Sequence, residues 1–269
     1  MWTMTILGVA FVLAAAQGCS TVPGRSVVAD DELRDVLGAM DKAQGRYERR
    51  LKDWSISYMS LARMFPDEEA RVLASAAGRG RIGRIDELVA AGVDVNARGR
   101  SDGTALWWAL RKRNLKGFTR LLEHGADPNQ LMAGPYYDTT TVMHKAAEHG
   151  NPAFLASALK HGGDPNVRAG SSDWTPLFVA HEVTALRMLL DTGADVKVKS
   201  SYGLTAARLN SNRPALLYEL LVRGAPYDAT LVSKFAGHCS LADDREADCE
   251  KVRNWFRSKN VNVPEQGPF

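Results

Sequence analysis

Apolar positions along this chain follow three regimes. From Ile6 to Ala16 they are unbroken, ILGVAFVLAAA. That stretch fits the hydrophobic region of a secretory signal and falls short of the roughly 20 residues a membrane-spanning helix needs. From Asp30 to Met64 they recur at helical spacing, with Leu33, Val36, Leu37 and Met40 on one face and Leu51, Trp54, Tyr58 and Leu61 further along. From Pro66 onward, short helical patterns alternate with turns. Doublets such as Leu121-Leu122 and Leu189-Leu190 turn one helix face into a core, and Ala76-Ala77 and Ala146-Ala147 are small enough for neighbouring helices to approach closely. Near the end, Leu231 to Cys239 and Asp244 to Ser258 predict a final helix pair.

Two phrases recur along the middle of the chain. One reads Gly92-Val93-Asp94-Val95-Asn96, Gly125-Ala126-Asp127-Pro128-Asn129, Gly162-Gly163-Asp164-Pro165-Asn166, Gly193-Ala194-Asp195-Val196-Lys197 and, worn, Gly224-Ala225-Pro226-Tyr227-Asp228. Its glycines lie 33, 37, 31 and 31 residues apart. The other opens on threonine: Thr104-Ala105-Leu106, Thr141-Val142-Met143-His144, Thr175-Pro176-Leu177 and Thr205-Ala206-Ala207. Repetition at this period marks a stacked solenoid. Each threonine is placed to cap a first helix. The glycine takes the left-handed position that ends a second helix, and the Asp-Pro-Asn turn then opens a hairpin.

These residues resemble the ankyrin repeat, over about Pro66 to Asp228. The resemblance implies an all-α solenoid of about five repeats over residues 66–228, with helical caps at 30–65 and 229–269, because a terminal repeat otherwise exposes an apolar side. Lys259-Asn260-Val261-Asn262 echoes the closing phrase inside the second cap. The units opening at Thr175 and Thr205 are short between their helices, and Trp107-Trp108 replaces smaller residues, so those units are expected to pack less regularly. His144 stands where ankyrin units carry a structural histidine. His124 and His161 fall in last turns, where a donor or cation suits the helix C-terminus.

Composition narrows the function. Against 34 basic residues stand 31 acidic ones, and 45% of the chain is hydrophobic. The first balance gives no footing for nucleic acid, and the second excludes a disordered chain.

Ala15-Ala16-Gln17-Gly18-Cys19 resembles a bacterial lipobox, which implies a signal peptide over residues 1–18, a lipid-bearing Cys19 and a tether over 19–29. An ordinary cleaved signal is one alternative, and a misassigned start or a membrane tether is another. Ser20 after the cysteine implies the periplasmic side of the outer membrane, with membrane contact through the anchor alone. Setting Cys19 aside leaves Cys239 and Cys249, an even remainder that reads as a disulfide in an exported chain. Such a link contributes roughly 3 kcal/mol in the chain-entropy description. Two unrelated thiols are another reading, and a zinc pair is disfavoured because His238 supplies only one more local ligand.

Signals for catalysis have structural explanations. Gly78-Arg79-Gly80-Arg81-Ile82-Gly83 matches a dinucleotide fingerprint but follows a helix and falls on an inter-helix turn. Gly99-Arg100-Ser101-Asp102-Gly103 matches a nucleophile elbow but falls on a hairpin tip. His144 and His149 lie too far apart around one helix to chelate a metal together. The chain reads as non-enzymatic, with no cofactor and no metal.

Binding is what the ankyrin resemblance implies, through hairpin tips and first-helix faces. Tyr136 and Tyr137 stand on a long apolar tip, Trp174 and Tyr202 on the next two, and Arg98, Arg100, Arg168 and Lys199 add charge suited to an acidic partner patch. Trp108, Glu148 and His149 are expected on the first-helix face. Signal, lipobox, tether, ankyrin stack and disulfide-capped end together are similar to the immunity lipoproteins that neutralise phospholipase effectors of type VI secretion. That likeness implies a secreted phospholipase as partner. Two other readings stand beside it: a periplasmic chaperone or assembly factor, similar to bacterial ankyrin proteins that support catalase, and an envelope scaffold.

Overall fold

Side chains that accept backbone hydrogen bonds start most of the helices. In the computed structural model, which describes residues 59–133, 138–239 and 245–264, Asp67 accepts from the Ala70 amide at 2.8 Å, Thr104 from Trp107 at 3.2 Å and Thr141 from His144 at 3.3 Å. Asn114 and Asn151 do the same for the second helix of their units. Each such cap replaces a lost backbone partner and contributes about 1 kcal/mol. The expected signal, lipidation site and tether, and most of the N-terminal cap, lie outside the described residues.

A short helix α1 (Leu61–Met64) leads into helix pairs. They are α2 (Glu68–Gly78) with α3 (Ile82–Ala90), α4 (Ala105–Arg111) with α5 (Leu115–Glu123), and α6 (Val142–Glu148) with α7 (Pro152–Lys160). Next come α8 (Pro176–Val179) with α9 (Val183–Asp191), α10 (Ala206–Leu209) with α11 (Pro214–Val222), and α12 (Ala229–Cys239) with α13 (Glu246–Ser258). Strands β1 (Met132–Ala133) and β2 (Thr139–Thr140) form one antiparallel hairpin, with Met132 opposite Thr140 and Ala133 opposite Thr139. First helices stack on first helices and second on second, as in α2 on α4 and α5 on α7. The fold is the mostly helical ankyrin-repeat solenoid that the sequence implies.

Second helices end alike. The Gly125 amide donates to the Leu122 carbonyl at 2.9 Å and the Ala126 amide to Leu121 at 3.0 Å, with Gly125 at a φ of 85° that a side chain would disfavour. Helix α13 closes in the same way: Asn260 donates to Arg257 and Val261 to Phe256, both at 3.0 Å, with Asn260 at φ 58°. The C-terminal cap therefore ends as a repeat unit does, as its Lys259-Asn260-Val261-Asn262 phrase suggests.

Closing phrases are stitched to one another by asparagine. Asn96 donates through Nδ2 to the Gly125 carbonyl at 3.0 Å while its Oδ1 accepts the Asp127 amide at 2.8 Å. Asn129 repeats this on Gly162 and Asp164, and Asn166 on Gly193 and Asp195. Within each phrase the aspartate accepts the amide two residues on, as Asp127 does from Asn129 at 2.8 Å. The aspartate shapes the turn; the asparagine joins it to its neighbour.

Where the sequence departs, the structure shows why. Thr175 makes no side-chain cap, because the Phe178 amide is taken by the Thr175 carbonyl at 3.0 Å in a four-residue helix. Trp107 and Trp108, expected to disturb their unit, are buried in a seven-residue α4 as long as α6. The disulfide Cys239–Cys249 joins α12 to α13 across 5.9 Å between Cα atoms, and both cysteines are buried beside Phe256 and Val252.

Along the second-helix row, Asp86 of α3 takes Arg120 at 2.6 Å and His124 at 2.8 Å, both presented by the next unit. The Arg120 guanidinium and then the His124 ring hold the Asp86 carboxyl down at about 2. Such half-exposed pairs add little to stability.

Close approach is most severe at Gly117, where an added Cβ would lie 2.0 Å from the Ala77 carbonyl oxygen. In an unobstructed helix, Gly to Ala stabilises by about 1 kcal/mol. Here the sign should reverse: Gly117→Ala is expected to destabilise by about 1–3 kcal/mol, read as a lower urea midpoint. A midpoint at or above that of the parent chain would contradict this packing.

Candidate functional site

Hairpin tips are joined laterally by short polar residues. Asp138 accepts the Ser171 amide at 2.6 Å, and Thr139 accepts the Gly170 amide at 2.9 Å. Ser201 then donates its amide to the Ser172 carbonyl and its hydroxyl to the Ser171 carbonyl, each at 3.0 Å. Below them, Ala169 and Trp174 pair as an antiparallel bridge. Three successive tips thus form one continuous edge.

His144 ties that edge to the helices. Its Nε2 lies 2.9 Å from the Trp174 carbonyl and its Nδ1 2.8 Å from the Thr141 hydroxyl. A carbonyl only accepts, so Nε2 carries the proton and Nδ1 accepts from threonine. The neutral ring is fully used, as the structural role expected of it requires. His161 likewise donates to the Ser157 carbonyl at 2.8 Å in the last turn of α7. His124 reaches across to Asp86 instead of its own helix end.

Among the residues expected to bind, the structure brings together a tip row of unequal members. Tyr202 is the most exposed, at 69%. Arg98 and Arg168 are exposed but face carboxylates of their own tips: Asp102 lies 3.5 Å from Arg98, and Asp173 pairs with Arg168. Arg100 and Lys199 are exposed, and among the described residues no carboxylate pairs with either. Trp174 is half-buried, its ring stacked on Phe178 with centroids 6.0 Å apart. Tyr136 and Tyr137 lie outside the described residues, as does Cys19.

The first-helix residues need correction. Trp108 is only 5% exposed and lines no open face. Its indole fills the space left by Gly78, where a Cβ would sit 2.8 Å from the indole nitrogen, and Phe65 meets the ring edge-on at 6.4 Å. Arg111 and Lys112 lie over the ring, 4.9 and 5.0 Å from its centroid. His149 turns inward onto Phe154, ring centroids 4.9 Å apart, and its Nδ1 accepts the Asn151 amide at 3.1 Å. Glu148 is exposed but engaged by Lys145 at 2.8 Å.

Sequence reasoning missed Leu131, exposed at the foot of the β1–β2 hairpin, and the Asp138–Ser171–Ser201 links. The serines were visible, but nothing in their spacing marks lateral bonding. Ser101 lies on the tip turn Arg100–Asp102 at φ 56°, and Gly80 on the α2–α3 turn at φ 68°, the settings expected of those two glycine motifs. Among the described residues no group of three His, Cys, Asp or Glu is placed to hold a metal. No described helix is long and apolar enough to cross a membrane.

Burial holds the His144 imidazole below its ordinary value of 6.5, against the opposing pull of the Trp174 carbonyl. On acidification the unfolded chain therefore takes up this proton first. The stability His144 contributes is present above about pH 6.5 and is lost as pH falls through its lower native value. Unfolding in urea between about pH 7.5 and about pH 5 should show a falling midpoint, with a shallower slope for His144→Asn. Equal slopes for the two proteins would contradict the neutral-ring assignment.

No protein-family model matches the chain. Over 106 residues it is 36% identical to ankyrin repeat and SOCS box protein 6 of Homo sapiens, a match covering 36% of this chain and 24% of that protein. It is 30% identical over 105 residues to an ankyrin repeat-containing protein of Schizosaccharomyces pombe, covering 39% of this chain and 48% of the relative. With an ankyrin repeat-containing protein of Treponema pallidum it shares 27% identity over 164 residues, covering 60% of this chain and 53% of the relative. The chain thus spans about a quarter to a half of the length of these relatives.

Proposed function

We propose that this ankyrin-repeat protein is a non-enzymatic binding protein of the bacterial periplasm, anchored through Cys19 to the outer membrane. In this reading it is an immunity protein that occludes a phospholipase effector delivered by type VI secretion. The observation that carries the binding role is the laterally bonded tip row, which presents Tyr202 and Lys199 outward from a fixed edge, with Arg100 exposed on the tip of an earlier unit. An exposed aromatic sharing its tip with an unpaired cation suits an acidic partner surface.

Export is supported by the Cys239–Cys249 disulfide, a linkage that persists in oxidising compartments, and by the Ile6–Ala16 stretch ahead of Cys19. An anchored inhibitor would stand where an incoming lipase meets its membrane substrate. Covering the lipase's active-site mouth or its membrane-docking surface would each suffice to neutralise it.

The test is affinity capture with the chain from Ser20 to Phe269 as bait, against secreted and periplasmic fractions of the same organism. Recovery of one stoichiometric lipase that the bait inhibits is the expected result. Recovery of catalase or of several envelope proteins, with no lipase, would contradict it. Arg100→Glu combined with Lys199→Glu and Tyr202→Ala should weaken the captured complex at least about tenfold at an unchanged melting temperature. Undiminished affinity would remove the tip row from the interface.

A further inference from the structure

The stitched order stops at one place, where both partners of one of its bonds are replaced together. Lys197 occupies the position of Asn96, Asn129 and Asn166, and Pro226 occupies the position of Asp127, Asp164 and Asp195. Lysine has no acceptor and proline has no amide hydrogen, so the bond between side-chain oxygen and backbone amide cannot form, and among the described residues the Lys197 side chain makes no bond to the Gly224 carbonyl. The hairpin is missing as well: Arg223–Asp228 runs directly from α11 into α12, where Thr192–Thr205 spans the preceding junction. The last hairpin, ending in the tip that carries Tyr202, therefore has no successor beside it.

A groove of about 550 Å³ opens there, lined by Lys197, Val222, Pro226, Tyr227, Trp255 and Lys259. Its floor is apolar and accessible: Val222 is 43% exposed and Tyr227 40%, two of the few large apolar side chains that the described residues leave in solvent. Tyr227 meets Trp255 edge-on at 5.4 Å, which fixes both rings without covering them. Lys259 stands 5.7 Å from the Trp255 ring centroid and Lys197 lies on the opposite phrase.

Of the residues lining the groove, the charged ones are Lys197 and Lys259. The carboxylate of Asp195 is engaged by the Lys197 amide at 2.8 Å, Asp191 by Arg223 at 2.5 Å and Asp228 by Arg208 at 3.3 Å. Among the described residues neither lysine is paired with a carboxylate, while Asp191 and Asp228 are each paired with an arginine.

We infer that this groove docks an extended, acidic segment of a partner protein, laid where the absent hairpin would have stacked. Side chains of an extended strand alternate between two faces. Apolar residues of the segment settle on Val222, Tyr227 and Trp255, and alternate carboxylates reach Lys197 and Lys259. The site is separate from the tip row and does not depend on the partner being a lipase.

Fluorescence anisotropy on the full chain tests it with three labelled ten-residue probes: alternating glutamate and leucine, alternating glutamate and serine, and alternating lysine and leucine. The glutamate–leucine probe should bind at least about tenfold more tightly than either control, and more weakly as salt screens the lysines. Lys197→Glu with Lys259→Glu should remove that preference while the melting temperature stays unchanged. Equal binding of the three probes, no binding at millimolar protein, or indifference to charge reversal would overturn the inference. So would concentration-dependent self-association abolished by Lys259→Glu, which would make a second copy the occupant.

Discussion

Everything the stack presents depends on how one asparagine side chain uses both ends of its amide. At Asn96, Asn129 and Asn166 the nitrogen donates to a glycine carbonyl and the oxygen accepts an aspartate amide in the following unit. Each bond contributes only about 1 kcal/mol net, less than the burial of Phe118 or Leu189. Burial alone, though, is tolerant of sliding and rotation, and a two-point bond between backbones is not. The stitch converts a row of interchangeable helix pairs into units held at one spacing. At the opposite end of the hairpins, Asp138, Ser171 and Ser201 repeat the same lateral bonding with different chemistry.

A stack fixed in this way must end somewhere, and it ends in two different manners. At the start, Met64 and Phe65 are buried, and Arg111 reaches back to the Met59 carbonyl at 2.5 Å. At the far end α12 and α13 close as a repeat does, but the hairpin and the stitch ahead of them are gone. The buried Cys239–Cys249 link contributes roughly 3 kcal/mol by restricting the unfolded chain, which offsets the missing lateral bonds of that junction. The cost of the irregularity is an apolar, basic groove where regular stacking would have placed a hairpin.

The repeat was legible because its residues are chosen for backbone geometry. Glycine at a positive φ, aspartate in the turn and threonine at a helix start each have one strong reason to be there, so their recurrence reveals the architecture. Thr175 shows the limit: the residue type was right, but a four-residue helix closed on the carbonyl and left the hydroxyl unused. The candidate site was only partly legible. Tyr202, Arg100 and Lys199 stand in solvent as expected, because tips face water by construction. Trp108 and His149 do not, because burial depends on space left by residues elsewhere in the chain, Gly78 in one case and Phe154 in the other. The groove at Tyr227 and Trp255 went unread for the same reason: it is made by what the last junction lacks.

Hydrogen exchange on Asn129→Ala tests the stitching claim most directly. Removing this amide takes away the partner of the Asp164 amide and of the Gly162 carbonyl at once. If the stitch holds the units in register, protection should fall at Asp164 and also through α5 and α7 on both sides, while α12 and α13 keep theirs. Loss confined to the Asp164 amide, with α5 and α7 protected as before, would mean that packing alone sets the register and that the asparagines merely decorate it.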